Sequence, residues 1–114
     1  GDTLKLSDGK TFRLYGVNAP EVNEPYYEEA KAFTKNLVLG KEISFEQEEN
    51  YKVDKFGRTL GYVFIDGTNL NIELVRNGLA RVVLYEKRAK IKYQDELLSA
   101  EKEARENKVG TWKK

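Results

Sequence analysis

The stretch Arg13–Glu21, which reads RLYGVNAPE, decides how the rest of the chain is organised. Apolar and polar side chains alternate in residues 12–15, and this period of two predicts a β-strand. The strand must break near Pro20, because the residue before a proline is disfavoured in helical geometry. The break leaves a cation, Arg13, on the strand and a carboxylate, Glu21, just after the turn.

Length and composition limit what the chain can be. Its 114 residues suffice for one hydrophobic core, so residues 1–114 are expected to form a single domain. The formal net charge is only +1, so affinity for nucleic acid would need a local basic cluster. The chain has no cysteine and no histidine, so catalysis at neutral pH would use carboxylates, cations, hydroxyls or a hard metal ion. No run of residues reaches transmembrane length, so no membrane partner is expected.

Hydrophobic periodicity and turn signals predict the element order β-β-α-β-β-α-β-α. The predicted elements are a hairpin of residues 3–7 and 10–15, a helix from Pro25 to Gly40, strands 41–47 and 58–65, a short helix capped by Asn69 or Asn71 and ended by Gly78, a strand 79–85 and a helix 93–107. Short strands, antiparallel hairpins and inserted helices favour an α+β fold, a small barrel with helices packed at one side, over alternating βαβ units.

Four charged residues suggest phosphate chemistry. Arg13 and Arg58 offer planar donor forks that can grip the oxygens of a phosphodiester. Glu21 is the carboxylate available to activate water, and Asp2 and its neighbours can hold a hard metal ion. Each residue also has an ordinary explanation as a solvated surface charge or a turn residue. The residues alone therefore establish no more than a small β-barrel with helices.

The combination of motifs is more specific. Five blocks, taken in order, closely resemble the staphylococcal-nuclease (thermonuclease) family: Gly1–Thr3, Arg13–Glu21, Asp54–Arg58, Leu74–Ala80 and Gly110–Trp112. The resemblance covers essentially the whole chain. It implies an OB-fold barrel of five strands with three helices. It also implies a calcium-dependent nuclease that cleaves single- and double-stranded DNA and RNA at the bond to the 5′ oxygen.

The resemblance assigns the catalytic and metal-binding roles. Arg13 and Arg58 match phosphate-binding arginines, and Glu21 matches the glutamate usually drawn as the general base. Asp2 matches an aspartate that ligates the single calcium ion. Asn18 stands where the family has its second calcium-ligating aspartate, and Ala19 stands where a backbone carbonyl contributes. 

A second set of residues is expected beside the nucleotide. Lys55 and Phe56 match positions there, and Tyr85 lies near the family's base-stacking tyrosines. Because any aromatic face can stack on a base, Phe56 and Tyr85 are candidate platforms, with simple wall residues as the alternative.

Two departures from the family qualify the nuclease interpretation. Asn18 brings an oxygen but no charge, so calcium is expected to bind weakly. The long strand that precedes the Gly-Asp-Thr motif in the family is absent from this sequence, which would leave open barrel edges. A monomer is expected unless another chain supplies that strand. The alternative function is a non-catalytic OB-fold module that binds nucleic acid or protein with a degraded metal site; an engineered fragment is a weaker third hypothesis.

Overall fold

The computed structural model describes residues 3–5, 11–49, 52–53, 58–84 and 90–113. Its strands are β1 (Thr3–Lys5), β2 (Thr11–Leu14), β3 (Val17–Asn18), β4 (Ile43–Glu46), β5 (Thr59–Ile65), β6 (Thr68–Asn69) and β7 (Arg81–Val82). Its helices are α1 (Tyr27–Val38), α2 (Leu70–Arg76) and α3 (Gln94–Asn107), followed by a 3₁₀ turn at Gly110–Trp112. None of these helices is long and apolar enough to cross a membrane.

Strand β5 is the centre of the main sheet. The strands run in the order β1-β2-β5-β4, with β6 also pairing with β5. Pairs β1–β2, β4–β5 and β5–β6 are antiparallel, whereas β2 and β5 are parallel. Strands β3 and β7 form a separate antiparallel pair. Both faces of β5 are covered, because its residues are buried on either side of the sheet.

The main core lies between one face of the sheet and the three helices. Leu14, Val63 and Ile65 provide the strand side of this core. The helices bury a stripe of apolar residues against it: Ala30 from α1, Leu70, Leu74 and Val75 from α2, and Leu97 and Ala100 from α3. A smaller cluster on the other face of β5 consists of Tyr15, Leu60 and Tyr62, with Phe64 and Tyr93 packed against it.

The tail is tied to the body by two glycines. Gly78 and Gly110 both have positive φ, and the backbone nitrogen of Thr111 donates to the oxygen of Gly78 at 2.8 Å. A Cβ on Gly78 would lie 2.1 Å from the oxygen of Val109. The close approach therefore requires glycine, and it holds Trp112 beside α3 and β7.

The structure confirms the α+β class, the three helices and the β1–β2 hairpin, while its Asp8-Gly9 turn lies outside the described residues. Asn69 is the cap of α2, accepting from the nitrogen of Ile72 at 3.1 Å. The predicted strand 79–85 was too long, since only Arg81–Val82 pairs within the described residues. Strands β3 and β6 and the parallel β2–β5 pair were not predicted from the sequence. The described strands follow an open path and do not form a closed ring.

Candidate functional site

Arg13 lies on β2 in the middle of the main sheet. Its register partner on the parallel neighbour is Leu60, and on the antiparallel neighbour it is Thr3. The side chain is half-buried, and its Nη1 donates to the main-chain oxygen of Leu14 at 2.8 Å. The paired strands fix the backbone of Arg13, and this hydrogen bond restricts its guanidinium.

Arg58 immediately precedes β5 and is exposed. Because Phe12 pairs with Thr59, Arg58 lies opposite Thr11 of β2. Thr11 is two residues before Arg13 on that strand. That offset and the spacing of paired strands put the Cα atoms of the two arginines about 8 Å apart. Side chains two residues apart share a face, so the parallel register brings both cations to one surface.

Glu21 lies in the turn that follows Pro20, and it is exposed. Its backbone nitrogen donates to Oε1 of Glu24 at 2.6 Å, and the nitrogen of Glu24 donates back to the oxygen of Glu21 at 2.9 Å. These reciprocal bonds use the main chain of Glu21. They fix the turn and leave its own carboxylate directed to solvent.

Asn18 and Ala19 line an open groove of about 540 Å³ together with Glu24, Tyr26 and Arg81. Asn18 is exposed and pairs directly with Arg81 across β3 and β7, while Ala19 is buried. Arg13, Glu21 and Arg58 are not part of the groove lining. The predicted site residues that the structure describes thus divide between the two-arginine surface, the groove and the exposed turn at Glu21.

The oxygens of Asn18 and Ala19 fit a calcium ion by donor type, since calcium accepts amide and backbone carbonyl oxygens. Neither brings charge, so any negative ligand must be a carboxylate. In the part of the chain that the structure describes, no three acidic side chains converge to hold a metal ion. The predicted ligand Asp2 lies outside that part, as do the predicted nucleotide contacts Lys55, Phe56 and Tyr85.

A polar network that was not predicted from the sequence lies on the Leu60 face of β5. The fully buried Tyr62 donates its hydroxyl to Oε1 of Glu48 at 2.8 Å. The hydroxyl of Tyr93 donates to Oε1 of Glu46 at 3.0 Å, and Nζ of Lys92 lies 2.7 Å from Oε2 of the same carboxylate. The rings of Tyr62 and Tyr93 meet edge to face at 4.7 Å.

The network shifts the titration of its members. Burial, and then the hydrogen bond to Glu48, raise the pKa of Tyr62 well above its ordinary value. Burial, and then Glu46, likewise raise the pKa of Tyr93. The hydrogen bond from Lys92 lowers the pKa of Glu46 against the opposing effect of desolvation.

The network supports the strand that carries Arg13. Tyr15 stands two positions further along the chain and packs on Tyr62 with ring centroids 5.4 Å apart. The alternation of Leu60, Tyr62 and Phe64 is visible in the sequence and could have indicated this second buried face. The carboxylate partners could not have been found in that way, because they come from a different strand and loop.

Comparison with known proteins identifies the family. The family model described as "Staphylococcal nuclease homologue" matches residues 11–114. The chain belongs to the staphylococcal nuclease family. The resemblance inferred from the Arg13–Glu21 and Asp54–Arg58 motifs is thereby confirmed.

Curated relatives of this family cover the whole chain. The chain is 36% identical to "Endonuclease YncB" of Bacillus subtilis, and the match covers 100% of this chain and 58% of that protein. It is 36% identical to "Thermonuclease" of Staphylococcus hyicus, over 98% of this chain and 70% of that protein. A prophage-derived endonuclease, YokF of Bacillus subtilis, is 33% identical over 100% of this chain and 41% of its own length. The chain thus spans between two fifths and seven tenths of these relatives.

Proposed function

We propose that this domain is a nuclease that hydrolyses phosphodiester bonds in DNA or RNA. The observation that carries the proposal is the parallel register of β2 and β5, which brings Arg13 and Arg58 to one surface. A phosphodiester between two guanidinium groups gains charge-assisted hydrogen bonds to its non-bridging oxygens. Membership of a family whose relatives are named endonuclease and thermonuclease supports the same reaction.

Glu21 and the two arginines have separate roles in the proposed hydrolysis. Glu21, which is exposed, accepts a proton from the attacking water, whose oxygen forms the new bond to phosphorus. The bond from phosphorus to the 5′ oxygen breaks, and that oxygen takes a proton from solvent. Arg13 and Arg58 stabilise the negative charge that builds on the phosphoryl oxygens during the attack.

Calcium is the proposed cofactor of this reaction. Asp2, Asn18 and the carbonyl of Ala19 are the residues that would hold one ion, and the ion would contribute Lewis-acid polarisation of the phosphate when bound. Only one of these three ligands is charged. We therefore propose weak calcium binding, with a requirement for calcium above that of a site with two aspartates.

The test is digestion of plasmid and heat-denatured DNA, and of RNA, with calcium and with chelator. Cleavage in calcium that chelator abolishes is expected. Glu21→Gln should lower the rate by roughly 10²–10⁴-fold, the usual effect of losing a general base. Glu28→Gln, which removes an exposed carboxylate from the first turn of α1, is the matched control and should cleave normally. Equal activity of both variants would remove Glu21 from the mechanism.

A non-catalytic binding module is the second candidate, and the identity of residue 18 favours it. An uncharged Asn18 faces the cation Arg81 across the β3–β7 pair, an arrangement that disfavours a second cation there. If the domain only binds nucleic acid, it should retard DNA in a gel shift without cutting it. Neither calcium nor chelator should then change the retardation. Any chelator-sensitive cleavage rejects this alternative.

A further inference from the structure

The groove beside Asn18 carries two cations that the proposed reaction does not use. Arg81 of β7 and Lys113 of the tail both line it and both are exposed. Among the described residues, neither forms an ion pair, whereas Lys92 and Arg76 are each paired with carboxylates. Unpaired cations in a concave surface attract an anionic ligand.

Trp112 orients one of these cations. The guanidinium carbon of Arg81 lies 4.7 Å from the centre of the Trp112 ring, and that of Arg105 lies 5.7 Å from it. A guanidinium that stacks on an aromatic ring still presents its N–H edge, which is the edge that binds phosphate oxygens. The stack therefore fixes Arg81 without using its hydrogen-bonding capacity.

The rest of the lining also suits a nucleotide chain. Tyr26 contributes a half-buried aromatic side chain, on which a base can stack. The hydroxyl of Thr111 is buried and has no hydrogen-bond partner among the described residues. Glu24 is the carboxylate in the lining, and its Oε1 already accepts from the backbone of Glu21. The groove, at about 540 Å³, falls in the size range of small-ligand sites.

We propose that this groove binds a single-stranded segment of nucleic acid that flanks the phosphate held by Arg13 and Arg58. Arg81 and Lys113 bind backbone phosphates, and Tyr26 stacks on a base. Asn18 and Ala19 line the groove and are also the proposed calcium ligands, which places the groove beside the proposed reaction centre. The position of the segment relative to the cleaved bond rests on the proposed function, whereas binding in the groove does not.

The experiment measures binding without cleavage. An oligothymidylate of about twelve nucleotides, within the span that such folds cover, is titrated in chelator against the whole chain. Trp112 is the single tryptophan and contacts Arg81, so its fluorescence reports on the surroundings of that arginine. Anisotropy of labelled oligonucleotide reports on overall binding. Each titration is repeated over a range of salt concentrations.

The test variant is Arg81→Gln combined with Lys113→Gln. The control, Lys31→Gln combined with Lys35→Gln, removes the same charge from the exposed surface of α1. Losing two phosphate contacts to a single strand should reduce the salt slope by about 1.4, at about 0.7 for each contact. The control should keep the slope and the affinity of the parent. Because Arg81 packs on Trp112, Lys113→Gln alone is a second variant with an expected reduction of about 0.7.

The outcomes separate the possibilities. Equal losses in the test and control variants would mean attraction by overall charge and would overturn the proposal. Parental binding by both Lys113→Gln and the double variant would overturn it as well, even where DNA digestion succeeds. Displacement of the oligonucleotide by polyglutamate of equal charge would mean that any polyanion is accepted, and would also reject it. Reduced binding by the test variants alone supports the groove, even if no digestion is ever observed.

Discussion

Asn71 of α2 donates its side-chain amide to the main-chain oxygen of Tyr15 at 2.9 Å, and so joins the helix to the end of the strand that carries Arg13. The same amide lies 3.3 Å from the oxygen of Gly61, and its oxygen accepts from the nitrogen of Val63 at 3.2 Å. Asn71 is fully buried. One side chain thus satisfies main-chain groups on two parts of the sheet at once.

Asn71→Leu should lower the free energy of unfolding by about 2–4 kcal/mol, because the oxygen of Tyr15 and the nitrogen of Val63 lose their buried side-chain partner. Urea denaturation followed by circular dichroism measures the change. Asn77→Ala is the control, since its side chain donates to an exposed main-chain oxygen of α2 at 2.8 Å, and the change should cost under about 1 kcal/mol. Similar losses in both variants would contradict the special role of Asn71.

The approach of Gly78 to Gly110 predicts a large effect of a single methyl group. Gly78→Ala should destabilise the fold by more than about 3 kcal/mol, because the new Cβ would meet the backbone of Val109 at 2.1 Å in addition to the strain of a positive φ. Gly40→Ala shares the positive φ but meets nothing within 4 Å, so it should cost about 1 kcal/mol. Thermal unfolding of the two variants distinguishes a clash from strain alone.

The raised pKa of Tyr62 predicts a loss of stability at alkaline pH. Burial, and then Glu48, raise its pKa in the folded state, so the unfolded chain releases this proton first as the pH passes about 10. The folded state then holds more protons than the unfolded state. Stability is therefore present below pH 10 and falls above it, by up to about 1.4 kcal/mol per pH unit for this group. Tyr62→Phe should flatten the decline, whereas Tyr27→Phe, on α1, should not. Urea midpoints measured from pH 8 to 11 give the slopes.

The lowered pKa of Glu46 predicts a loss of stability at acidic pH. The hydrogen bond from Lys92 lowers its pKa in the folded state, so the unfolded chain takes up the proton first as the pH falls through about 4.5. Stability is present above that pH and declines below it. Glu46→Gln should reduce the dependence of the urea midpoint on pH between 3 and 5. Glu42→Gln, an exposed neighbour just before β4, should leave that dependence unchanged.

The sequence predicted the elements better than their pairing. Helical periodicity and stop signals predicted the ends of α1 and α3 to within one or two residues. Helices of that length repeat their apolar spacing often enough for the pattern to be recognised. The pairs β3–β7 and β5–β6 involve only two residues on each strand and leave no period to detect. The parallel β2–β5 register joins residues nearly fifty positions apart, and only the folded chain decides it.

The same difference between local and long-range features applies to the candidate site. Family motifs predicted Arg13, Glu21 and Arg58 as site residues, and their roles stay a prediction. They did not indicate the two cations and the tyrosine of the groove, since Arg81, Lys113 and Tyr26 come from three separate segments of the chain. The Tyr62–Glu48 hydrogen bond was missed for the same reason. Contacts between distant segments depend on packing, whereas the motif is local in the chain.

Asn18→Asp decides whether the uncharged residue weakens calcium binding. The introduced carboxylate should lower the calcium concentration for half-maximal DNA cleavage by about tenfold, the equivalent of about 1.4 kcal/mol. Arg81 stands directly across the β3–β7 pair and will attract the same carboxylate, so the gain should be larger when Arg81→Gln is combined with it. Asn36→Asp adds the same charge on an exposed surface of α1 and should change nothing. Calorimetric titration with calcium accompanies the digestion, because it measures the ion without the reaction. An unchanged calcium requirement in both Asn18→Asp variants would show that the missing charge at position 18 does not limit the site.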